Sequence, residues 1–303
     1  MAIDKQVDKK VVDVNMASPR YLDATNDVAF KKIFSHKEIL KDFLNSVLRL
    51  SEGEKIEDLH FVPQEEIPDL GQGRRSIFDI KVLDQSGFWY IIEMQNKPDE
   101  FFLKRVQVYA TSTYSNQTLK GKDYSHVLPI VVISIVNGTL FPDEIGCINR
   151  HTTREETTNT QHLFELSYVF VELGKFFKIE EELETIEDFW LFFLTESTKV
   201  KRPPAKIKDV NILKAYEVLE RFNWNDAEYD AYIRAKLLAD TEKLELEDAY
   251  SKGEAKGKVD GLEEGELKGR LEIAKNLLAE GLNVKLIAKT TGLAEEEIKN
   301  FQD

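Results

Sequence analysis

Three polar side chains in the stretch FDIKVLDQSGFWYIIEMQ (residues 78–95) have types and spacing suited to chemistry: Asp79, Glu93 and Gln95. The stretch reads as two strands about a turn, Gln85-Ser86-Gly87, with the glycine in the left-handed position. Asp84 then faces Phe88, and counting outward Asp79 faces Glu93. Strand alternation groups Asp79, Lys81 and Leu83 with Ile91, Glu93 and Gln95 on one face. It leaves Phe78, Ile80, Val82, Ile92 and Met94 as an apolar face. Directly opposed carboxylates repel each other. A hard divalent cation, Mg²⁺ or in its place Mn²⁺, removes the conflict by taking both as oxygen ligands, and the Met94 carbonyl can add a third oxygen. A metal held this way lowers the pKa of a bound water and neutralises charge on a scissile phosphate. A plain structural account is equally open: Asp79 pairs with Lys81 or Arg75, and Glu93 lies on a solvated face.

The surrounding elements must hold this hairpin. From Asn26, apolar residues recur at three and four (Ala29, Phe30, Ile33, Phe34, Ile39, Leu40, Phe43, Leu44, Val47, Leu48), which predicts helix. Asn26 or Asp27 can cap its start, and Ser35-His36 can split it in two. Ile56–Ile67 reads as a short strand or extended loop, and GQGRR (71–75) as a loop. Residues 100–120 read as an amphipathic helix ended by Gly121. VLPIVVISIV (127–136) is the firmest strand, and HLFELSYVFVEL (162–173) is another whose Glu172 reads as structural. Residues 185–197 and 207–223 are helical, as is nearly everything after Tyr229. Glycines recur at 253, 257, 261, 265 and 269. That spacing suggests either a face where paired helices approach closely or a flexible helical linker. Gly281 and Gly292 fall between three short amphipathic helices of helix–turn–helix character.

With 303 residues, 42% of them hydrophobic, the chain can bury a sizeable core. Cys147 is the sole cysteine, so no internal disulfide forms, and no Cys/His cluster has zinc-ligand spacing. The first twenty residues read as a flexible arm without a signal-peptide apolar core, and no apolar run is long enough to span a membrane. A cytoplasmic protein is expected. A net charge of −14 argues against nucleic acid as a partner, but acid in 180–188 and in the C-terminal third can mask a basic groove elsewhere.

At this point several segments resemble a known family. D79…E93-M-Q95 looks like the PD-(D/E)XK nuclease signature in the variant with glutamine for the final lysine. NDVAFKKIF (26–34) resembles the opening helix motif. FFLKRVQVYATSTYSNQTLKGKDYSHVLPIVVISIVN (101–137) resembles the helix with an Arg…Tyr pair, the Gly…Tyr loop and the next strand. FVELGKFF (170–177) resembles a later strand end. In this order they resemble the Rpn family of recombination-promoting nucleases and transposases, over roughly residues 21–200.

The resemblance implies an α/β, restriction-endonuclease-like core, a mixed central sheet flanked by helices, with a helical C-terminal extension. After the arm (1–20) and the nuclease domain (21–200) would come a helical connector (201–240) and the C-terminal region (241–303). It implies metal binding by Asp79 and Glu93 and a catalytic position for Gln95, which can orient or donate a hydrogen bond but carries no charge. Lys31 or Lys81 could supply that charge. Arg105 and Tyr109, four apart on one helix face, would contact a DNA phosphate, and Asp27 is a further acid near the metal. The basic residues Lys31, Lys32, Arg74, Arg75, Lys81, Lys97, Lys104, Arg105, Lys120 and Lys122 all fall in this core. The expected activity is Mg²⁺-dependent DNA endonuclease action in recombination, transposition or defence. The competing expectation is a catalytically degenerate scaffold that binds DNA or protein and self-associates through the C-terminal helical region.

Overall fold

The computed structural model describes residues 19–62, 79–118 and 123–301. The expected arm, the loop arginines Arg74 and Arg75, Phe78, and Lys120–Lys122 with Gly121 lie largely or wholly outside these residues. The chain divides into two units, Met1–Lys236 and Leu237–Asp303.

The first unit is built on a mixed six-stranded sheet. In chain order its strands are β1 (Leu59–Phe61), β2 (Ile80–Asp84), β3 (Trp89–Gln95), β4 (Ile130–Val136), β5 (Ile148–Thr152) and β6 (Leu166–Glu172). Their spatial order is β1-β2-β3-β4-β6-β5. The hairpin is antiparallel, β3, β4 and β6 run parallel, and β5 closes the far edge antiparallel to β6. β5 (INRHT) escapes a sequence reading because it is short and polar, without period-two alternation.

Helices cover both faces. α1 (Asp27–Phe34) and α2 (Lys37–Leu48) are two helices, as the Ser35-His36 break suggests. The Asn26 side chain, not Asp27, caps α1, accepting from the N–H groups of Val28 and Ala29. With α4 (Ile186–Glu196) and α5 (Val210–Leu219) they bury one face of the sheet under a cluster that joins Phe30, Phe34, Phe43, Trp190, Phe193 and Tyr216. α3 (Phe102–Ser115) covers the other face, placing Phe102, Val106 and Ala110 on Ile91, Ile130, Val132, Val136 and Phe170.

α6 (Asp226–Ala279) is one continuous helix of 54 residues that crosses the unit boundary. At all five of its regularly spaced glycines an added Cβ would meet nothing within 4 Å. In the second unit the end of α6 packs with α7 (Val284–Thr291) and α8 (Glu295–Lys299) around Ala274, Ile287, Leu293 and Ile298. The first of the three expected short helices is therefore the end of α6. Gly281 (φ 80°) and Gly292 (φ 73°) stand at the two turns, in the left-handed region glycine adopts without a steric penalty. Among the described residues no helix is long and apolar enough to cross a membrane.

Candidate active site

The hairpin follows the turn count. Gly87 has φ 89°, and Asp84 accepts from the N–H groups of Ser86 and Phe88, each at 2.8 Å. Ile80 pairs with Ile92 and Lys81 with Ile91, so Asp79, one residue before β2, stands opposite Glu93. On the other side of β3, Glu93 is the register partner of Ser134 on β4.

Asp79 does not pair with Lys81. Its Oδ2 accepts from the Met94 N–H at 2.7 Å, and its Oδ1 lies 3.2 Å from the Lys31 Nζ, which reaches in from α1. The same ammonium is 2.6 Å from Asp27 Oδ1. Burial pulls the Lys31 ammonium down, but Asp27 and Asp79 outweigh it and leave it above its ordinary value. Asp79 is raised by burial, against the lowering effects of the Met94 N–H and Lys31. An Asn96 side-chain bond to the Thr25 carbonyl (3.2 Å) ties the end of β3 to the start of α1.

Glu93 is not on a solvated face. It is 8% exposed beneath α3, and its Oε2 is buried with no hydrogen-bond partner. Burial, then the Asp79 charge, pushes its carboxyl up to about 7, with Arg105 opposing. The Gln95 carbonyl accepts from Asn137 on the β4 side. Carbonyl direction alternates along a strand, so the Met94 carbonyl points to the β2 side, where its N–H meets Asp79.

The remaining residues surround this pair. Arg105 on α3 binds Asp99 at 2.8 Å and reaches Gln95 Oε1 at 3.5 Å. Gln95 Nε2 donates to the Lys97 carbonyl at 2.6 Å. Tyr109 is half-buried on the α3 side of the sheet, close enough to Arg105 to add slightly to the upward shift of its guanidinium. Lys81 is buried, with its Nζ 3.9 Å from the centre of the Trp89 ring, away from the role of Asp79's partner. The structure thus gathers Asp27, Lys31, Asp79, Glu93, Gln95 and Arg105, and sets Lys81 against an aromatic ring. Sequence reasoning did not single out Ser134, Asp99 or Asn96. For Ser134 the available signal was one hydroxyl inside an otherwise apolar strand.

A family model described as PD-(D/E)XK nuclease family transposase matches residues 24–248. The chain belongs to that family. A second model, the C-terminal HTH domain of the Rpn/YhgA-like nuclease family, matches residues 267–303, which contain α7 and α8. No curated protein and no solved structure matches the chain. The mixed sheet with helices on both faces fits the family's nuclease fold. Membership supports a nuclease or transposition-related function, and the HTH domain supports DNA binding. PD-(D/E)XK nucleases typically use divalent metals. Among the described residues no group of three or more His, Cys, Asp or Glu side chains is arranged to hold a metal. The donors that fit a hard cation are two carboxylates, one with an unpartnered buried oxygen, and a backbone carbonyl, with water completing the shell.

Proposed function

We propose that the chain is a divalent-metal-dependent DNA endonuclease that hydrolyses phosphodiester bonds at Asp79, Glu93 and the Met94 carbonyl. The observation that carries this reading is the buried, unpartnered Glu93 Oε2 beside Asp79, in a chain of the nuclease family. Native proteins rarely leave a buried carboxylate oxygen without a partner. A bound Mg²⁺ or Mn²⁺ would neutralise the paired carboxylates, activate a water and offset charge on the scissile phosphate.

The other roles belong to the chain's own groups. Lys31, held by Asp27, places a cation next to Asp79, where the family motif has lysine in place of Gln95. Gln95 holds Arg105 at the Glu93 side and orients water or phosphate through its amide. Arg105 and Tyr109 contact the DNA backbone, and the C-terminal HTH domain adds affinity for the duplex. Self-association along α6 belongs to the same proposal, since several of its leucines, including Leu237, Leu244 and Leu262, are exposed. A concentration-independent monomer in sedimentation velocity would remove that part.

The direct test is nicking of supercoiled plasmid with Mg²⁺ or Mn²⁺, with Asp79→Ala alongside. Wild-type nicking that the variant lacks is expected. No nicking by either, or equal nicking by both, rejects the enzyme.

One observation favours a degenerate scaffold instead. Gln95 supplies no charge and is tied to the Lys97 carbonyl and Arg105. A scaffold would show no Mn²⁺ binding that depends on Glu93.

A further inference from the structure

Ser134 stands in the middle of β4 between Ile133 and Ile135, is 1% exposed, and has an Oγ without a hydrogen-bond partner. Its register partner on β3 is Glu93, whose Oε2 is also buried without a partner. Neighbouring strands run about 4.8 Å apart, so the two side chains rise side by side on the face that α3 covers. Apolar side chains flank them, Ile91, Val132, Val136, Phe102 and Val106, and Gln95 and Arg105 are polar neighbours on the Glu93 side.

A buried hydroxyl without a partner is destabilising. Alanine or valine would fill the position, and β-branched residues suit a central strand better than serine. The two unpartnered oxygens thus belong to paired positions of adjacent strands. Local violations of good packing of this kind concentrate at functional sites.

We propose that Ser134 is a positioning residue for Glu93. Its hydroxyl donates to one carboxylate oxygen and so turns the other toward Asp79 and the Met94 carbonyl when a divalent cation is bound. The inference rests on the metal-dependent nuclease reading. A neutral donor suits the task. An ammonium at this place would compete with the metal, and the cation on this side, Arg105, is held by Asp99 and Gln95. Residues that orient a metal ligand from behind typically change metal affinity by about 10–100-fold when removed.

The experiment is calorimetric titration of Mn²⁺ alone into the full-length chain, comparing wild type, Ser134→Ala, Ser134→Thr and Glu93→Gln, with Tm and plasmid nicking measured on each. Ser134→Ala is expected to keep or raise Tm, because it removes an unpartnered buried hydroxyl. It is also expected to bind Mn²⁺ about 10-fold or more weakly, while Ser134→Thr, which keeps the hydroxyl, stays near wild type. Glu93→Gln should abolish binding. Unchanged Mn²⁺ affinity in Ser134→Ala, with binding lost in Glu93→Gln, overturns the role of Ser134 and leaves the nuclease reading standing. A fall in Tm in both serine variants with a parallel loss of binding overturns it in favour of packing. No Mn²⁺ binding by the wild type rejects the metal reading itself, and the role of Ser134 with it.

Discussion

The sheet carries two buried glutamates, Glu93 on β3 and Glu172 on β6, with β4 between them. Their surroundings are opposite. Glu172 is 0% exposed and fully partnered: Oε1 accepts from Asn149 Nδ2 (2.8 Å) and Lys175 Nζ (3.0 Å), and Oε2 accepts from the N–H groups of Leu140 and Phe141. The Lys175 ammonium also donates to the Pro142 and Ile145 carbonyls. Glu93 has one oxygen with no partner, a second carboxylate across the hairpin, and a carboxyl pushed up to about 7. One acid is a finished polar node that fixes the loop after β4. The other is set up to gain a partner. The proposed role of Glu93 therefore rests not on burial alone, which Glu172 shares, but on burial with unfilled hydrogen-bonding capacity.

The largest expected effect tests the finished side. Glu172→Ala leaves a buried ammonium without its counter-charge, and an amide and two backbone N–H groups without their acceptor, and should cost about 3–5 kcal/mol of stability. Urea unfolding of the variant measures this, and a loss below about 1 kcal/mol would erase the contrast between the two glutamates.

Glu93→Gln should do the reverse in metal-free buffer. The folded chain keeps the Glu93 proton to about pH 7, whereas the unfolded chain releases it near 4.5. The contribution of this group is fully present below 4.5 and is lost as pH rises through 7. Glutamine has no proton to lose. The variant should therefore match the wild type's relative stability near pH 5 and exceed it by up to about 3 kcal/mol at pH 8. Denaturant curves at the two pH values decide it, and a pH-independent difference would show that Glu93 titrates normally. By mass action, Mn²⁺ at about 100 times its Kd should stabilise the wild type by about 2.7 kcal/mol and leave Asp79→Ala unchanged.

The hairpin was readable because its determinants are local: Gly87 sets the turn, and period-two alternation then fixes every pair out to Asp79 and Glu93. The division of α1 from α2 was local too. What sequence left open depends on distant packing. Whether Glu93 faced water was decided by α3 closing over it. That Lys31 rather than Lys81 meets Asp79 was decided by how α1 docks at the end of β2, while Trp89 took the Lys81 ammonium. β5 was missed because its value lies in pairing with β6 and lending Asn149 to Glu172, neither of which its own composition signals. The end of α6 looked like a separate helix because apolar spacing alone does not mark where a helix begins.

The smallest effect on stability should fall on the Asp79 side, and it bears most on the missing motif lysine. Lys31 is 36% exposed and its partner Asp27 is 53% exposed, so the pair contributes at most about 1 kcal/mol. Lys31→Met also takes away the cation 3.2 Å from the buried Asp79, which keeps the Met94 N–H, so a loss of about 1–2 kcal/mol is expected. If its ammonium supplies the charge that Gln95 lacks, nicking should still fall by roughly 100-fold or more, the usual effect of removing one preorganised donor from a developing charge. Lys81→Met provides the contrast: its ammonium sits on the Trp89 ring, so stability rather than nicking should suffer. Wild-type nicking by Lys31→Met would shift the role to Arg105, which approaches the pair from the Glu93 side. The catalytic cation would then come from the helix that buries Glu93, and not from the helix that reaches Asp79.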